Sequence, residues 1–416
     1  MSSAPTHPSP LHHRAFRAIW LASIFSFIGT WVQDVGESWV MLSMSPDPRL
    51  VAALAACFLA PTLALTLPAG LLADRIDRRK LLLWSQLLSG LAAVGPAVAI
   101  RLHHMTPGVL LWCSVALGAA VTIGAPAWST LVPELLPRKH TAEAVTLGSI
   151  AFNIARVVGP ALGGFLLAAT GAEATFIVNG VSFLAVYWVL HHYEEVKRAS
   201  ELERPETPSR LVAAFADPFR EVWTTPVLRG CFVTHGTFAI AASMVMAILP
   251  AFAKHSLGAS ATGYGALLSG LGAGAIVSGL FLSRVRARFG NRATASFGIA
   301  TFGGAMLFAS RASTVPLAVP WFFIAGLGWI ATFSTLTSTV QLTARMETKS
   351  RIMALSQLNF YANATLGAAA GGFIAGRWTE RAAIGGGALV ALGVAVVASR
   401  ALGSLRHAMH ATEPTS

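Results

Sequence analysis

Two carboxylates and one guanidinium stand inside apolar runs where formal charge is expensive. Asp34 and Glu37 lie in the first such run and Arg156 in the fifth. A charge at mid-bilayer depth costs at least ~2.5–3.5 kcal/mol on insertion scales, so residues of this kind face a bundle interior or a water-filled path and serve ion pairing, proton relay or transport. Three residues apart, Asp34 and Glu37 share a helix face with Thr30 and Met41. Two neighbouring carboxylates in a low-dielectric cavity cannot easily both ionise, so the pair is suited to binding and releasing a proton near neutral pH. Arg156 lies ~13 residues into its helix and Asp34 ~16–18 into its own, counted from the same side, and a rise of ~1.5 Å per residue makes a contact feasible. That spacing favours a pairing of Arg156 with Asp34 that leaves Glu37 as the proton carrier. The reverse assignment stays open, as does a static Asp34–Arg156 brace with Glu37 snorkelling outward.

The elements that must position this trio are membrane spans. Of the 416 residues, 54% are hydrophobic and 12% charged, against about 25% charged in soluble domains. Apolar runs of membrane-spanning length fall at 16–44, 50–72, 81–102, 108–132, 144–169 and 173–192, then at 229–253, 262–283, 293–311, 315–338, 352–376 and 383–404. The fold expected is therefore all-α and integral to the membrane, with twelve transmembrane helices in two six-helix pseudo-repeats. The domain reading is a tail over 1–15, a bundle over 16–192, a linker over 193–228, a second bundle over 229–404 and a tail over 405–416. The first run exceeds a signal-peptide core and is retained as a span.

The net charge of +12 is spread between the apolar runs rather than gathered on one soluble face, which excludes nucleic acid as the natural partner. With the N-terminus inside, inner segments carry 23 Lys and Arg and outer loops 6, with Arg156 left over. This asymmetry puts both termini and the linker in the cytoplasm. Within the linker, Leu211, Val212, Phe215, Phe219, Val222 and Trp223 line one helical face, fitting either an interfacial helix or one packed on the bundle, with Asp217-Pro218 expected to interrupt it. Cys57, Cys113 and Cys231 show no metal or disulfide spacing and read as small packing residues. No nucleotide-binding loop, metal-ligand set or catalytic triad stands out, so neither an enzyme nor a cofactor is expected.

The two halves repeat. Gly70-Leu71-Leu72-Ala73-Asp74-Arg75 is echoed 209 residues later by Gly279-Leu280-Phe281-Leu282-Ser283-Arg284, and Phe152, Gly159 and Gly163-Gly164-Phe165 are echoed 208 residues later by Phe360, Gly367 and Gly371-Gly372-Phe373. Parallel repeats of this kind place a substrate site near the membrane midplane between the halves.

The loop Gly70-Leu-Leu-Ala-Asp74-Arg75-Ile-Asp77-Arg78-Arg79-Lys80 resembles the signature between helices two and three of the major facilitator superfamily, with Asp77 where the broad pattern prefers glycine. The resemblance implies a cytoplasmic gate in which Gly70, Asp74, Arg75, Arg78 and Arg79 latch against the start of helix eleven near Ser350 and Arg351. Arg156-Val-Val-Gly159-Pro160-Ala-Leu-Gly163-Gly164 is similar to the helix-five signature of the superfamily's antiporters, although Thr146 and Ala155 stand where the full signature has glycine. Gly159, Gly163 and Gly164 also suit tight helix packing. Pro126-Ala-Trp128, the stretch Val132 to Arg138, Asn153, Asn179 and Gly29-Thr30-Trp31 resemble the drug:proton antiporter branch that includes the enterobactin exporter and macrolide and drug exporters. The implied activity is secondary export of small apolar or amphipathic organic molecules by proton antiport with alternating access, in a bacterial inner membrane, by a monomer contacting lipid. Proton-coupled import, lysolipid flipping and, remotely, a non-transporting sensor or scaffold are the alternatives. The candidate substrate cavity is Thr30, Gln33, Met41, His235, Phe238, Asn359 and Asn363. Asn153, Asn179 and Gln357 are read as bonding neighbouring helices, and Trp39, Phe333 and Tyr361 as further candidate lining residues.

Overall fold

The computed structural model describes residues 10–137, 140–194, 196, 211–345 and 348–401, and no strand occurs among them. Their helices are α1 (Arg14–Met44), α2 (Pro48–Arg75), α3 (Arg78–Arg101), α4 (Pro107–Glu134), α5 (Thr141–Thr170), α6 (Ala172–His192), α7 (Leu211–Thr224), α8 (Pro226–Ala251), α9 (Ala261–Ala309), α10 (Val315–Thr343), α11 (Lys349–Arg377) and α12 (Glu380–Ala401). Apolar length drives the pattern, because a backbone in lipid must satisfy its own hydrogen bonds. Nine helices among the described residues are long and apolar enough to cross a membrane. In α5 only the shorter stretch Val158–Thr170 is apolar enough, and α11 carries Ser356, Gln357, Asn359 and Asn363 within its span. Helix α9 counts once, yet Gly290 breaks it in two at φ 78°. That left-handed backbone is one that glycine adopts at little cost. A loop was expected over 284–292; the chain instead stays helical up to Gly290.

The chain divides into two compact units, one comprising Met1–Glu37 and Ala60–Glu206 and the other Ser38–Leu59 and Thr207–Ser416. The last turns of α1 and the first turns of α2 therefore pack with the second unit. The sequence repeat has a counterpart in the packing of each. In the first unit a Cβ on Gly159 would lie 2.5 Å from Trp31 Cβ, and one on Gly163 3.0 Å from Val32 Cα, so α5 rides closely on α1. In the second, a Cβ on Gly371 would lie 2.6 Å from the Met244 carbonyl oxygen, and Gly367 is pressed against the Ile240 backbone, so α11 rides on α8 in the same way. Pro160 and Gly164 are buried on the same stretch of α5.

Helix α7 runs without a break through Pro218, contrary to the interruption expected there. A proline removes one backbone hydrogen bond, but the next turn is held from outside. Glu221 and Val222 are buried while Phe219 and Trp223 stay exposed, so the helix both packs and presents an aromatic edge. The side chains of Leu211, Val212 and Phe215 lie outside the described residues.

Candidate functional site

In the first unit, α1 and α6 meet through small and polar residues in matched register. Gly29, Gln33 and Gly36 of α1 face Ser182, Asn179 and Thr175 of α6. A Cβ on Gly29 would lie 2.6 Å from Ser182 Oγ, and one on Gly36 would run into Thr175 Oγ1. The close approach lets short polar side chains bridge the helices. Asn179 Nδ2 donates to Gln33 Oε1 at 2.7 Å, and Gln33 Nε2 donates to Glu37 Oε1 at 2.6 Å. From α4, Ser114 Oγ donates to Glu37 Oε2 at 3.1 Å. At the far end Ser182 Oγ lies 3.1 Å from Asn179 Oδ1. Gln33 is 1% exposed, Glu37 7%, and Ser114, Asn179 and Ser182 are fully enclosed. Both carboxyl oxygens of Glu37 are thus met by neutral donors deep in a membrane-type domain.

Asp34, three residues earlier, is exposed. A three-residue step turns the helix about 60° short of a full circle, enough to send Glu37 inward between α4 and α6 while Asp34 stays accessible. Glu37 therefore does not snorkel outward. The side chain of Arg156, proposed partner of Asp34, lies outside the described residues, as does that of Asn153. Thr30 is half-buried and donates to its own helix at Ser26 O, 3.0 Å away. Sequence reading singled out Glu37 and named Gln33 and Asn179, but missed Ser114, Thr175 and Ser182. The signal available was the four-three spacing of Thr175, Asn179 and Ser182 opposite the seven-residue spacing of Gly29 and Gly36.

The residues expected to line a cavity in the second unit are mostly packed. Phe238 is fully buried against Phe302 and Trp329, with ring centroids 5.4 and 5.8 Å away, because the three rings close edge to face. Met41 is likewise fully buried. His235 is 3% exposed, its ring 5.1 Å from both Phe333 and Phe360, with Nδ1 3.4 Å from Ser356 Oγ. Its Nε2 is buried with no hydrogen-bond partner among the described residues. Asn359 and Asn363 are half-buried; Asn359 Nδ2 donates to Phe232 O at 3.0 Å and Asn363 Nδ2 to Asn359 O at 2.8 Å.

At the signature loop, Asp77 caps α3 by accepting from the Lys80 N–H at 2.8 Å, the anion-at-N-terminus arrangement that helices favour. Arg79 Nε donates to Leu190 O at 2.8 Å and its guanidinium also reaches His191 O, closing the C-terminal end of α6. Among the described residues nothing lies within 4 Å of a Cβ placed on Gly70. Arg75 is exposed and Arg78 half-buried. The side chains of Asp74 and Ser350 lie outside the described residues.

A second buried carboxylate was not foreseen. Glu221 of α7, 4% exposed, accepts from the Arg345 backbone N–H at 3.0 Å, from Arg345 Nε at 3.0 Å and from Thr348 Oγ1 at 2.7 Å. Burial alone would push its carboxyl up. The three donors and the Arg345 charge together outweigh burial and hold it below the usual carboxylate range. No grouping of three or more His, Cys, Asp or Glu suited to a metal ion occurs among the described residues.

These features agree with comparisons to known proteins. Residues 5–414 match a family model described as transmembrane secretion effector. The multidrug efflux pump Tap of Mycobacterium tuberculosis is 25% identical over 362 residues, covering 84% of each chain. The staphyloferrin A transporter of Staphylococcus aureus is 26% identical over 195 residues, covering 46% of this chain and about half, 49%, of that one. The crystal structure of a bacterial homolog of the human lysosomal transporter Spinster, inward-facing and unoccupied, superposes with a TM-score of 0.76 at 15% identity over 95% of this chain and 98% of that one, a likeness of fold. With its membrane-type helices and this match over nearly its whole length, the chain is a transporter of the major facilitator superfamily and belongs to the transmembrane secretion effector family.

Proposed function

We propose that the protein is a secondary active exporter of small apolar or amphipathic organic molecules, driven by proton antiport through alternating access. Glu37 is the proton carrier in this reading. The observation that carries it is the pair of neutral donors on the Glu37 carboxyl, Gln33 and Ser114, within a spanning segment. A carboxyl held by an amide and a hydroxyl keeps its hydrogen bonds in either protonation state, whereas one locked to a guanidinium resists protonation. Asp34, exposed and one turn away, would exchange protons with the water path. Twelve spans, cytoplasmic termini, the bundle boundaries at 16–192 and 229–404, a bacterial inner-membrane location and a monomer contacting lipid belong to the same proposal. So do the gate at Gly70, Asp74, Arg75, Arg78 and Arg79 and the candidate substrate contacts, Thr30 in the first unit and His235, Asn359 and Asn363 in the second.

Export is preferred to import because the multidrug efflux pump relative aligns over 84% of its length, and the staphyloferrin A transporter relative keeps siderophores within the cargo panel. The test is efflux from cells stripped of their own exporters, loaded with dyes, macrolides, tetracyclines and siderophores, with and without a protonophore. Export that collapses with the protonophore and in Glu37→Gln supports the antiporter. Proton-driven export that survives in Glu37→Gln removes Glu37 as the carrier.

A further inference from the structure

Ser114 has one hydroxyl proton and two acceptors. Its oxygen lies 3.1 Å from Glu37 Oε2 and 3.2 Å from Leu110 O, one turn earlier on α4. The other carboxyl oxygen is held differently. Oε1 accepts from Gln33 Nε2, whose own Oε1 is fixed by Asn179 Nδ2, while Asn179 Oδ1 faces Ser182 Oγ.

These two sides respond unequally when a proton arrives. A proton on Oε1 would face an N–H, and relieving that clash requires turning over two buried amides in series, breaking the bonds at 2.6 and 2.7 Å. A proton on Oε2 requires only that the Ser114 hydroxyl rotate about its Cβ–Oγ bond. Its hydrogen then goes to Leu110 O, and its oxygen accepts from the new carboxyl O–H. The bonds from Asn179 to Gln33 and from Gln33 to Glu37 stay in place and the Ser114 hydroxyl keeps a partner on each side, which matters because an orphaned buried group costs about 1–3 kcal/mol. The other titratable side chains facing Glu37 among the described residues are Asp34 on α1 and Cys113 on α4. Neither donates a hydrogen bond to it among those residues.

We infer that Ser114 is a positioning residue for proton exchange: its hydroxyl swings between Glu37 Oε2 and Leu110 O, so the transported proton is taken up and released at Oε2. This rests on the reading of Glu37 as the proton carrier. It adds the atom that is protonated and the side chain that answers to it.

The experiment uses the full chain reconstituted in phosphatidylethanolamine–phosphatidylglycerol vesicles, with ethidium as the exported probe and an imposed pH gradient. Infrared difference spectra between acid and neutral pH supply a second readout, with the Glu37 carboxyl band assigned by its loss in Glu37→Gln. In Ser114→Ala, which removes only the hydroxyl and suits a helix, proton-driven export should fall about tenfold. The carboxyl band should move to higher frequency as the O–H loses its acceptor. Ser114→Thr, which keeps the hydroxyl, should restore both. A Ser114→Ala protein with the wild-type band and the wild-type rate would overturn the inference even where Glu37→Gln is inactive. Conversely, if Glu37→Gln still exports under the gradient, Glu37 is not the carrier and that reading fails, while the band position continues to report whether Ser114 accepts from the protonated acid.

Discussion

Glu37 and Glu221 are both buried glutamates, 7% and 4% exposed, and each has both carboxyl oxygens hydrogen-bonded. They differ in what does the bonding. Glu221 accepts a guanidinium, a backbone N–H and a hydroxyl on the connection between α10 and α11, outside the helices apolar enough to span a membrane. Glu37 accepts only an amide and a hydroxyl among the described residues, and it does so inside a spanning helix. A carboxylate matched by positive charge is a fixture, because protonation discards the interaction that holds it. A carboxyl matched by neutral donors loses little when it takes a proton. Burial alone would not separate the two; the chemistry of the donors does.

The largest expected effect breaks the comparison in function. Glu37→Gln mimics the protonated acid and should lower proton-driven export by at least about tenfold, or ~1.4 kcal/mol in barrier, with little change in melting temperature. Glu221→Gln should do the reverse and leave export under a pH gradient near wild type. It should destabilise the purified protein by about 1–3 kcal/mol, since an amide N–H₂ then opposes one of the three donors. Paired transport assays and thermal melts of the two variants decide the matter. Equal transport defects would collapse the distinction.

How much of this was legible beforehand differs between the two sites for a physical reason. Helices are local, and every apolar run expected to span coincides with a helix, the runs 262–283 and 293–311 sharing α9, since one run of sequence carries its own backbone bonds. Glu37 was legible because a carboxylate in an apolar run is costly wherever it points. Gln33 and Asn179 were named as polar residues, but Ser114 and the links between them were not legible, because Ser114 stands 77 residues from Glu37 and Asn179 146 from Gln33. Glu221 was invisible for a related reason. An acid on an amphipathic linker helix reads as solvated, and its donors lie 124 and 127 residues away. Pro218 misled in the same direction, because the docking that carries the helix past it is tertiary.

Acid sharpens the comparison further. The Glu221 carboxyl is held below its usual range in the folded protein. Its stabilisation is therefore complete above the unfolded-chain value of about 4.3 and is lost as pH falls through the lower folded value. The gap in melting temperature between wild type and Glu221→Gln should be widest near neutrality and close below about pH 4. Melts recorded from pH 7 downward provide the check, and a gap that widens toward acid would mean Glu221 is not the charged brace described.

The smallest effect is expected from the partner that looks most important. The Arg345 side chain is 69% exposed, so its ion pair with Glu221 is screened by water and salt, and exposed pairs contribute about 0–1 kcal/mol. Two of the three bonds to Glu221 do not involve the guanidinium at all. The backbone N–H of residue 345 survives any substitution except proline, and the Thr348 hydroxyl, the shortest of the three at 2.7 Å, belongs to another residue. Arg345→Ala should therefore lower stability by less than about 1 kcal/mol, and by less still in high salt. Thr348→Val should cost about 1–2 kcal/mol regardless of salt, because it strips a donor from an enclosed carboxylate that no water can easily replace. The reverse ranking would show that charge, rather than enclosure by short donors, anchors α7, and would bring Glu221 closer in kind to an ordinary surface pair than to the network around Glu37.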